Sequence, residues 1–328
     1  MRRALELLAR PHRLGGVDRQ FGPYAVPAVL VLFFVTFSLV LPGTFFTFGN
    51  INAMITAQAV LLILALGLTV PLRVGAFDLS IANVANLSAA IVAVLTVQHG
   101  VNGPVAILLA LAVAVGIGAL NGFFIVVVGL DAFITTLGTM TLIGGLTYGV
   151  TGSETIAGLP AGVLAFARTD LFGLPLAAYY GWFLALLLWV IYEYTPFGRY
   201  LLFIGGNSDA SRLVGLRVSA IRFASFVLSA LFAGFAGVVL VGTIGAVDPS
   251  VGPQYLLPPF AAAFLGTAAI QLGRFNVIGT MVGLYLLIIG TTGLELMGVA
   301  SWVSDAFNGA ALVAAILFAR LLQRRSRP

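Results

Sequence analysis

Ten runs of predominantly apolar residues, most of them close to 20 residues long, follow one another along the chain with short polar breaks between them. A helix needs about 20 such residues to cross the hydrocarbon core of a bilayer. The runs are continuous and rich in Leu, Ala and Val, whereas membrane β-strands alternate polar and apolar residues. Only 8% of the residues are charged, against about 25% in soluble domains. We therefore predict an all-α polytopic membrane protein with about ten transmembrane helices.

The breaks divide the chain into a terminal segment, a membrane domain and a tail. We predict a cytoplasmic N-terminal segment over 1–23, a single transmembrane domain over 24–319 that includes a cytoplasmic loop at 195–222, and a cytoplasmic basic tail over 320–328. Polar residues near 70–85 are compatible either with a full crossing or with a re-entrant pair. The predicted spans cover about 24–41, 51–70, 79–97, 104–128, 132–151, 178–194, 223–246, 257–270, 277–297 and 301–319.

The basic residues are distributed very unevenly over the predicted loops. All sixteen are arginines, and placing the N-terminus in the cytoplasm leaves only Arg168 outside. Cytoplasmic loops of membrane proteins carry such an excess of positive charge. The pattern predicts cytoplasmic N- and C-termini and a multi-pass protein of the inner (plasma) membrane. The arginines do not form a patch with interleaved aromatic residues, so no nucleic-acid partner is predicted.

The composition argues against several kinds of chemistry. There is no cysteine, which excludes thiolate nucleophiles and cysteine metal sites. There is no lysine either, so the chain lacks the GxxxxGK[ST] loop that binds ATP phosphates. His12 and His99 form no metal-ligating pair, and Asp78 and Asp131 are poor candidates for an intramembrane aspartyl pair. We predict no catalytic, cofactor-binding or metal-binding residues.

Uncharged polar residues and one carboxylate lie at or within the apolar runs. Asp78 either caps the third span or lines a polar path, since a carboxylate near the bilayer is costly without a partner. Each uncharged polar residue alone is better explained by packing between helices. Together, these residues are better suited to bind a hydroxyl-bearing solute than an ion. The candidate translocation path comprises Asp78, Asn83, Asn86, Asn121, Thr135 and Thr139, with Thr136 as a further hydrogen-bonding residue in the fifth span.

Small residues recur within two spans. Gly118 and Gly122 lie in the fourth, and Gly234 and Gly237 lie in the seventh. Glycines in membrane helices allow the backbones of neighbouring helices to approach closely. We predict close helix packing at these four positions.

The most informative segment is the central loop, where GGNSDASRLVGL predicts a short helix with marked ends. Asn207 can cap it, Asp209 favours its N-terminal end, and Gly215 can terminate it. Arg212 and Leu213 lie within it. A helix of two turns is marginal in water, so it must dock either on its own protein or on a cytoplasmic partner.

Five segments resemble the permease subunits of ribose-type ATP-binding-cassette importers, which carry simple sugars and related small solutes. They occur in the family's order and are spread over nearly the whole chain. The central loop is the most specific of them and FDLS is moderately so. The segments are TFFTFGNINAMITAQAVLLILALGLTV (44–70), FDLS (77–80), DAFITTLGTMTLIGGLTYG (131–149), TPFGRYLLFIGGNSDASRLVGLRV (195–218) and GRFNVIGTMVGL (273–284).

The resemblance implies a ten-helix subunit that pairs with a second permease subunit and receives a small-molecule solute from an extracytoplasmic binding protein. Two ATPase subunits, which would hold the ATP and Mg, would drive it, so this chain itself would bind no cofactor. The resemblance also implies that Asn207 to Gly215 forms the coupling helix that contacts the ATPase. A monosaccharide or a related polyol is the expected solute.

Two departures from the family pattern concern small residues near the expected path. The family usually has Gly-Gly-Ile before Asp-Leu-Ser and a Gly after it, whereas this chain has Gly75-Ala76-Phe77 before and Ile81-Ala82 after. A Gly-Gly-x-Ser-x-x-Gly-Gly run usually precedes the ninth span, but residues 266–273 here read GTAAIQLG. Two alternative functions stay open: an ion-gradient-driven secondary transporter, which the scarcity of acidic residues disfavours, and an intramembrane enzyme.

Overall fold

The computed structural model describes residues 22–326, with side chains described up to Leu317. The predicted N-terminal segment 1–23 therefore lies almost entirely outside the described residues, as do the side chains of the predicted tail 320–328. Helices account for most of the described chain, and the strands within it are four segments of two residues each. The prediction of an all-α polytopic membrane protein is confirmed.

The first half of the chain forms five long helices. After a 3-10 turn at Gly22–Tyr24, these helices are α1 (Ala25–Val40), α2 (Phe48–Arg73), α3 (Ile81–Ala93), α4 (Gly103–Phe123) and α5 (Ala132–Thr151). α3 continues as a π-helix over Val94–Gln98, and α4 does so over Phe124–Val128.

The second half mixes long and short elements. β1 (Ile156–Ala157), α6 (Ala161–Arg168), β2 (Asp170–Leu171) and β3 (Leu174–Pro175) precede the long helix α7 (Leu176–Tyr194). There follow α8 (Pro196–Gly206), α9 (Ser208–Leu213), α10 (Val218–Ile244), β4 (Ala246–Val247), a 3-10 turn at Gly252–Tyr255, α11 (Leu257–Gly266), α12 (Val277–Leu296) and α13 (Trp302–Ser326).

Side-chain caps and glycines set several helix ends. The side chains of Thr47, Asp131 and Asn276 accept hydrogen bonds from the first turns of α2, α5 and α12, which satisfies amide groups that have no partner within a helix. Gly152 and Gly245 end α5 and α10 in the left-handed conformation, which glycine adopts without steric cost.

Eight helices in the described part of the chain are long and apolar enough to cross a membrane, and they match eight of the ten predicted spans. The apolar stretch Ser301–Leu317 is shorter. The predicted eighth span, 257–270, is wrong as a continuous helix, because α11 ends at Gly266 after 10 residues. At 1.5 Å per residue, α11 is about 15 Å long, half of the hydrocarbon thickness.

The backbone after α11 is irregular, and the side chain of Asn276 provides it with hydrogen bonds. Its Nδ2 donates to the carbonyl oxygens of Gly266 (2.9 Å), Ala269 (3.1 Å) and Arg274 (3.1 Å). Irregular backbone is tolerated at membrane depth only where the protein itself satisfies its polar groups. The asparagine thus explains how the chain reaches α12 without a full eighth helix.

Helices α2, α3 and α10 form the buried centre of the bundle, and α10 also packs along α4. A Cβ on Gly118 would lie 2.6 Å from Cβ of Ala230, and one on Gly237 would collide with the carbonyl oxygen of Ala85. One on Gly122 would lie 2.9 Å from the Phe223 ring. Helix packing at the predicted glycines is confirmed; Gly234 likewise faces Ala114.

Two arginines predicted in loops belong to helices that are long and apolar enough to cross a membrane. Arg73 is the last residue of α2, and Arg222 lies in the second turn of α10, which begins at Val218 instead of near residue 223. The apolar runs alone misplaced both boundaries, because an arginine interrupts an apolar run even where the helix continues through it.

Candidate functional site

Asp78 lies in the break between α2 and α3, and its carboxylate is almost completely buried. Its Oδ1 accepts hydrogen bonds from the Ser80 backbone N–H (3.1 Å) and hydroxyl (2.6 Å), and its Oδ2 accepts one from the Ser229 hydroxyl (2.8 Å). The prediction that Asp78 caps α3 is wrong: the helix begins at Ile81, so Ser80 occupies the cap position. Asp78 instead joins the start of α3 to α10.

The hydrogen bonds continue into two further helices. Asn121 of α4 donates to Oγ of Ser80 (3.0 Å), and Thr139 of α5 donates to Oδ1 of Asn121 (2.7 Å). Ser229, Asp78, Ser80, Asn121 and Thr139 therefore form one connected set, which we call the Asp78 network. It contacts four of the long helices at one level of the bundle, and it includes three of the six predicted path residues.

Asn83 and Asn86 bond elsewhere. Asn83 Nδ2 donates to the carbonyl of Met140 in α5 (2.7 Å), and Asn86 Nδ2 donates to the carbonyls of Asp248 (3.3 Å) and Pro249 (3.0 Å). Gly252 lies directly against the Asn83 amide, where any side chain would collide with it. The segment after β4 thus covers this face of α3, and both asparagines are buried within the subunit.

The segment that covers the two asparagines is held by its own hydrogen bonds. β4 pairs with β1 through Ile156 opposite Val247. The Ser250 hydroxyl and N–H donate to Asp248 Oδ1, and Thr155 donates to Oδ2. Hydrogen bonds from Ser250 and then Thr155 hold the pKa of the exposed Asp248 carboxyl below its ordinary value. The charged form of Asp248 therefore stabilises this loop.

The two remaining polar residues at the start of α5, Thr135 and Thr136, form hydrogen bonds with backbone groups. Thr135 is half-exposed and donates to the carbonyl of Asp131 (2.6 Å). Thr136 is buried, and its hydroxyl accepts from the N–H of Leu79 (3.1 Å), which fastens the break before α3. A role of the six candidates in lining a path stays a prediction.

One face of α5 was not singled out by the sequence pattern. α5 is mostly exposed, and its exposed positions include small and polar residues at the i, i+3, i+7 and i+10/11 spacing of one helical face. A Cβ at the glycines among them would meet no other atom within 4 Å. This α5 face consists of Gly138, Thr141, Gly145, Tyr148 and Gly149.

The short helix predicted in the central loop is confirmed as α9. Asn207 Oδ1 accepts hydrogen bonds from the N–H groups of Asp209 (3.1 Å) and Ala210 (2.9 Å). Gly215 ends the segment with φ of +85°. Leu213 is 90% exposed and Val214 is 76% exposed, so the apolar face of this helix contacts no other described part of the chain closely.

Arg73 has a structural role that the sequence did not indicate. Its side chain is buried, with Nε donating to the carbonyl of Phe275 (2.8 Å) and the guanidinium carbon 3.5 Å from the ring centroid of Tyr192. Gly205 of α8 packs on the Arg73 carbonyl so tightly that a side chain would collide with it. Arg73 therefore joins the end of α2 to α7, α8 and the segment before α12.

Phe77, one of the departures from the family pattern, packs against α11. Its ring stacks on those of Phe260 and Phe264, with centroids 6.3 Å away in each case, and meets Phe133 edge-on at 6.4 Å. The bulk of this residue is accommodated by aromatic neighbours from α11 and α5. Those neighbours are far apart in sequence, so the motif alone could not identify them.

Comparisons with known proteins identify related transport permeases. Residues 50–316 match the family model described as branched-chain amino acid transport system / permease component. The ribose import permease of Bacillus subtilis (strain 168) is 33% identical over 309 residues, which cover 93% of this chain and 94% of that protein. No solved structure gives a significant match.

Two further relatives extend the comparison. The ribose import permease of Escherichia coli (strain K12) is 30% identical over 88% of this chain and 91% of its own length. An autoinducer 2 import system permease of Photorhabdus laumondii is 31% identical over 92% of each chain. With a family match over most of its length and relatives of this similarity, this integral membrane protein belongs to the branched-chain amino acid transport system / permease component family.

Proposed function

We propose that this permease is the translocation subunit of an ATP-driven importer in the inner membrane, and that its solute is ribose or a similar small hydroxylated molecule. The names of its relatives support this choice, since they include import permeases for ribose and for autoinducer 2. Hydrolysis would take place on separate ATPase subunits, which would hold the ATP and Mg. A second permease subunit and an extracytoplasmic solute-binding protein would complete the assembly.

The main observation that supports the proposal is the exposed, capped helix α9. A six-residue helix is far below the length that is stable alone in water, yet this one has a side-chain cap, and its Leu213 is almost fully exposed. Apolar side chains exposed on a short, well-capped helix favour docking on a partner. The ATPase subunit is the partner we assign to it.

The contacts around α9 provide a route by which a displacement of α9 by the ATPase would move the transmembrane helices. α8 leads directly into α9, and its Gly205 rests on Arg73 at the end of α2. On the other side, α10 begins at Val218, five residues after α9 ends, and carries Ser229 of the Asp78 network. A displacement of α9 would therefore act on α2 and α10 together, and through Asp78 on the start of α3.

We assign the solute path to the α5 face and the second permease subunit. Within the single subunit Asn83, Asn86 and Asp78 are buried and hydrogen-bonded, so they do not offer an open channel. The α5 face carries the exposed hydroxyls of Thr141 and Tyr148 beside glycines. Small residues with hydroxyl groups provide room and hydrogen bonds for a hydroxylated solute.

The test is uptake into proteoliposomes that contain the permease together with its ATPase and solute-binding partners. We expect ribose uptake that requires ATP and is unaffected by collapsing proton and sodium gradients. Leucine is the matched competitor, because the family description names branched-chain amino acids. Uptake that continues without nucleotide and stops when an ion gradient collapses would instead identify a secondary transporter. ATP-dependent uptake of leucine but not ribose would refute the sugar assignment alone.

A further inference from the structure

A cleft of about 390 Å³ lies beside α9, between the first turns of α10 and the turn that joins α4 to α5. Arg212 of α9 and Arg222 and Ser219 of α10 line one side, and Gly129 and Asp131 line the other. These groups come from three separate stretches of the chain. Neither the translocation path nor the exposed Leu213 belongs to this cleft.

The charges in the cleft do not balance. Two guanidinium groups face one carboxylate, and Asp131 already accepts a hydrogen bond from the N–H of Ile134 as the cap of α5. The Nε of Arg222 is buried and has no hydrogen-bond partner among the described residues. A buried donor without an acceptor is costly, and the excess of positive charge along the cleft favours an anionic ligand.

The cleft lies at the end of the membrane-spanning segment Gly103–Val128. The last turn of this span carries Val127 (66% exposed) and Val128 (53% exposed), followed by Leu130 (49% exposed) at the cleft itself. An exposed apolar surface at the end of a transmembrane helix contacts lipid chains, and the adjoining polar layer contains their headgroups. The two arginines therefore lie beside the end of a membrane-spanning segment.

We propose that this cleft binds the headgroup phosphate of an anionic phospholipid, with Arg212 and Arg222 as its ligands and Ser219 as a further donor. Guanidinium groups bind phosphate oxygens through paired hydrogen bonds, and basic pockets between helices on the cytoplasmic side accommodate such headgroups. The adjacent Val127, Val128 and Leu130 contact the acyl chain. A carboxylate of a partner protein would pair with the arginines but would make no contact with these apolar residues. The inference does not depend on the solute or the energy source of the transporter.

Bound lipid would join α9 to α10, because Arg212 and Arg222 belong to these two helices. The short helix would thereby gain a contact that its own chain does not supply. We expect the anionic lipid to raise the fraction of α9 in the docked orientation.

The test is native mass spectrometry of the purified full-length chain titrated with phosphatidylglycerol or phosphatidylcholine. We expect phosphatidylglycerol to bind at least about tenfold more tightly, each 1.4 kcal/mol being a factor of ten. Arg222→Gln should abolish this preference, and Arg222→Lys should retain part of it. Arg199→Gln, which removes an exposed arginine of α8 outside the cleft, should leave it unchanged.

Ser219→Glu provides an independent test in case the Arg222 variant does not fold. Ser219 is exposed, so the substitution should be tolerated, and a carboxylate there should repel the phosphate. Equal binding of the two lipids, or equal losses in the Arg199 and Arg222 variants, would overturn the proposal. Inorganic phosphate that binds as tightly as phosphatidylglycerol would also overturn it in favour of a free anion. A Ser219→Glu chain that keeps its lipid but no longer retains the ATPase would identify a protein carboxylate as the ligand.

Discussion

Ser229 donates a hydrogen bond of 2.8 Å to Oδ2 of Asp78, although 151 residues separate them. The bond joins the middle of α10 to the break between α2 and α3, and both side chains are buried. Because Oδ1 of the same carboxylate is held by Ser80, Asp78 fixes the start of α3 relative to α10. Any movement of α10 has to carry this bond or break it.

Asp78→Ala should destabilise the chain. It removes the acceptor for the Ser229 and Ser80 hydroxyls and leaves buried donors without partners, which costs about 1 to 3 kcal/mol. The free energy of unfolding in mixed detergent micelles measures the loss. Asp305→Ala is the matched control, since Asp305 is an exposed acid and such changes stay within about 0.5 kcal/mol. Equal effects of the two substitutions would show that the Asp78 network is not structural.

Asn207→Ala should weaken coupling to the ATPase. The variant removes the cap of α9, which accepts from two backbone amides and contributes about 1 kcal/mol. A loss of that size lowers the ratio of formed to unformed helix by about fivefold. The readout is the stimulation of ATP hydrolysis by the permease in the reconstituted complex.

Asn207→Asp is the control for this prediction, because aspartate caps as well as asparagine does. It should retain most of the stimulation. If alanine and aspartate act alike, the amide itself contacts the partner and capping is not its role. Gly215→Ala provides an independent check, since φ of +85° disfavours any residue with a Cβ by about 1 kcal/mol.

Hydropathy and charge were enough to predict the class of fold and most helix boundaries, because membrane helices are specified locally by apolar length. The predicted fifth span, 132–151, coincides with α5. The eighth span failed for a tertiary reason: the side chain of Asn276, which follows α11 in sequence, supports an unwound backbone there. An apolar run does not reveal such support.

The sequence predicted the short helix of the candidate site but not the hydrogen-bond partners of its polar residues. The α9 helix was specified by local signals, since a cap and a terminating glycine act within a few residues. The polar residues of the spans were found, but their partners were not, because Asn121 meets Ser80 and Asn86 meets Pro249 only through folding. Arg73 was interpreted as a topological charge, and its burial, its bond to Phe275 and its contact with Tyr192 distinguish it from the exposed arginines.

Arg73→Lys separates the structural role from the topological one. Lysine keeps the positive charge that orients a membrane protein, but it cannot reproduce the Nε bond to Phe275 together with the planar contact on Tyr192. We expect a loss of about 2 kcal/mol in the free energy of unfolding. Protease accessibility of the loops should show an unchanged orientation.

The control for the Arg73 variant is Arg199→Lys, because Arg199 is exposed. It should change the free energy of unfolding by less than about 0.5 kcal/mol. An Arg73→Lys protein as stable as this control would mean that the buried contacts of the guanidinium contribute nothing beyond charge.

Gly237→Ala tests the close approach of α10 to α3. The added methyl group would collide with the Ala85 carbonyl oxygen, a backbone atom that cannot rotate away, so the two helices have to separate. Overpacking of this kind costs about 1 to 3 kcal/mol. Gly116→Ala is the matched control in α4, where a Cβ meets no atom within 4 Å and alanine should stabilise the helix by about 0.5 to 1 kcal/mol. The thermal unfolding temperature in detergent should therefore fall for Gly237→Ala and rise for Gly116→Ala. A shift in the same direction for both variants would contradict the close packing of α10 on α3.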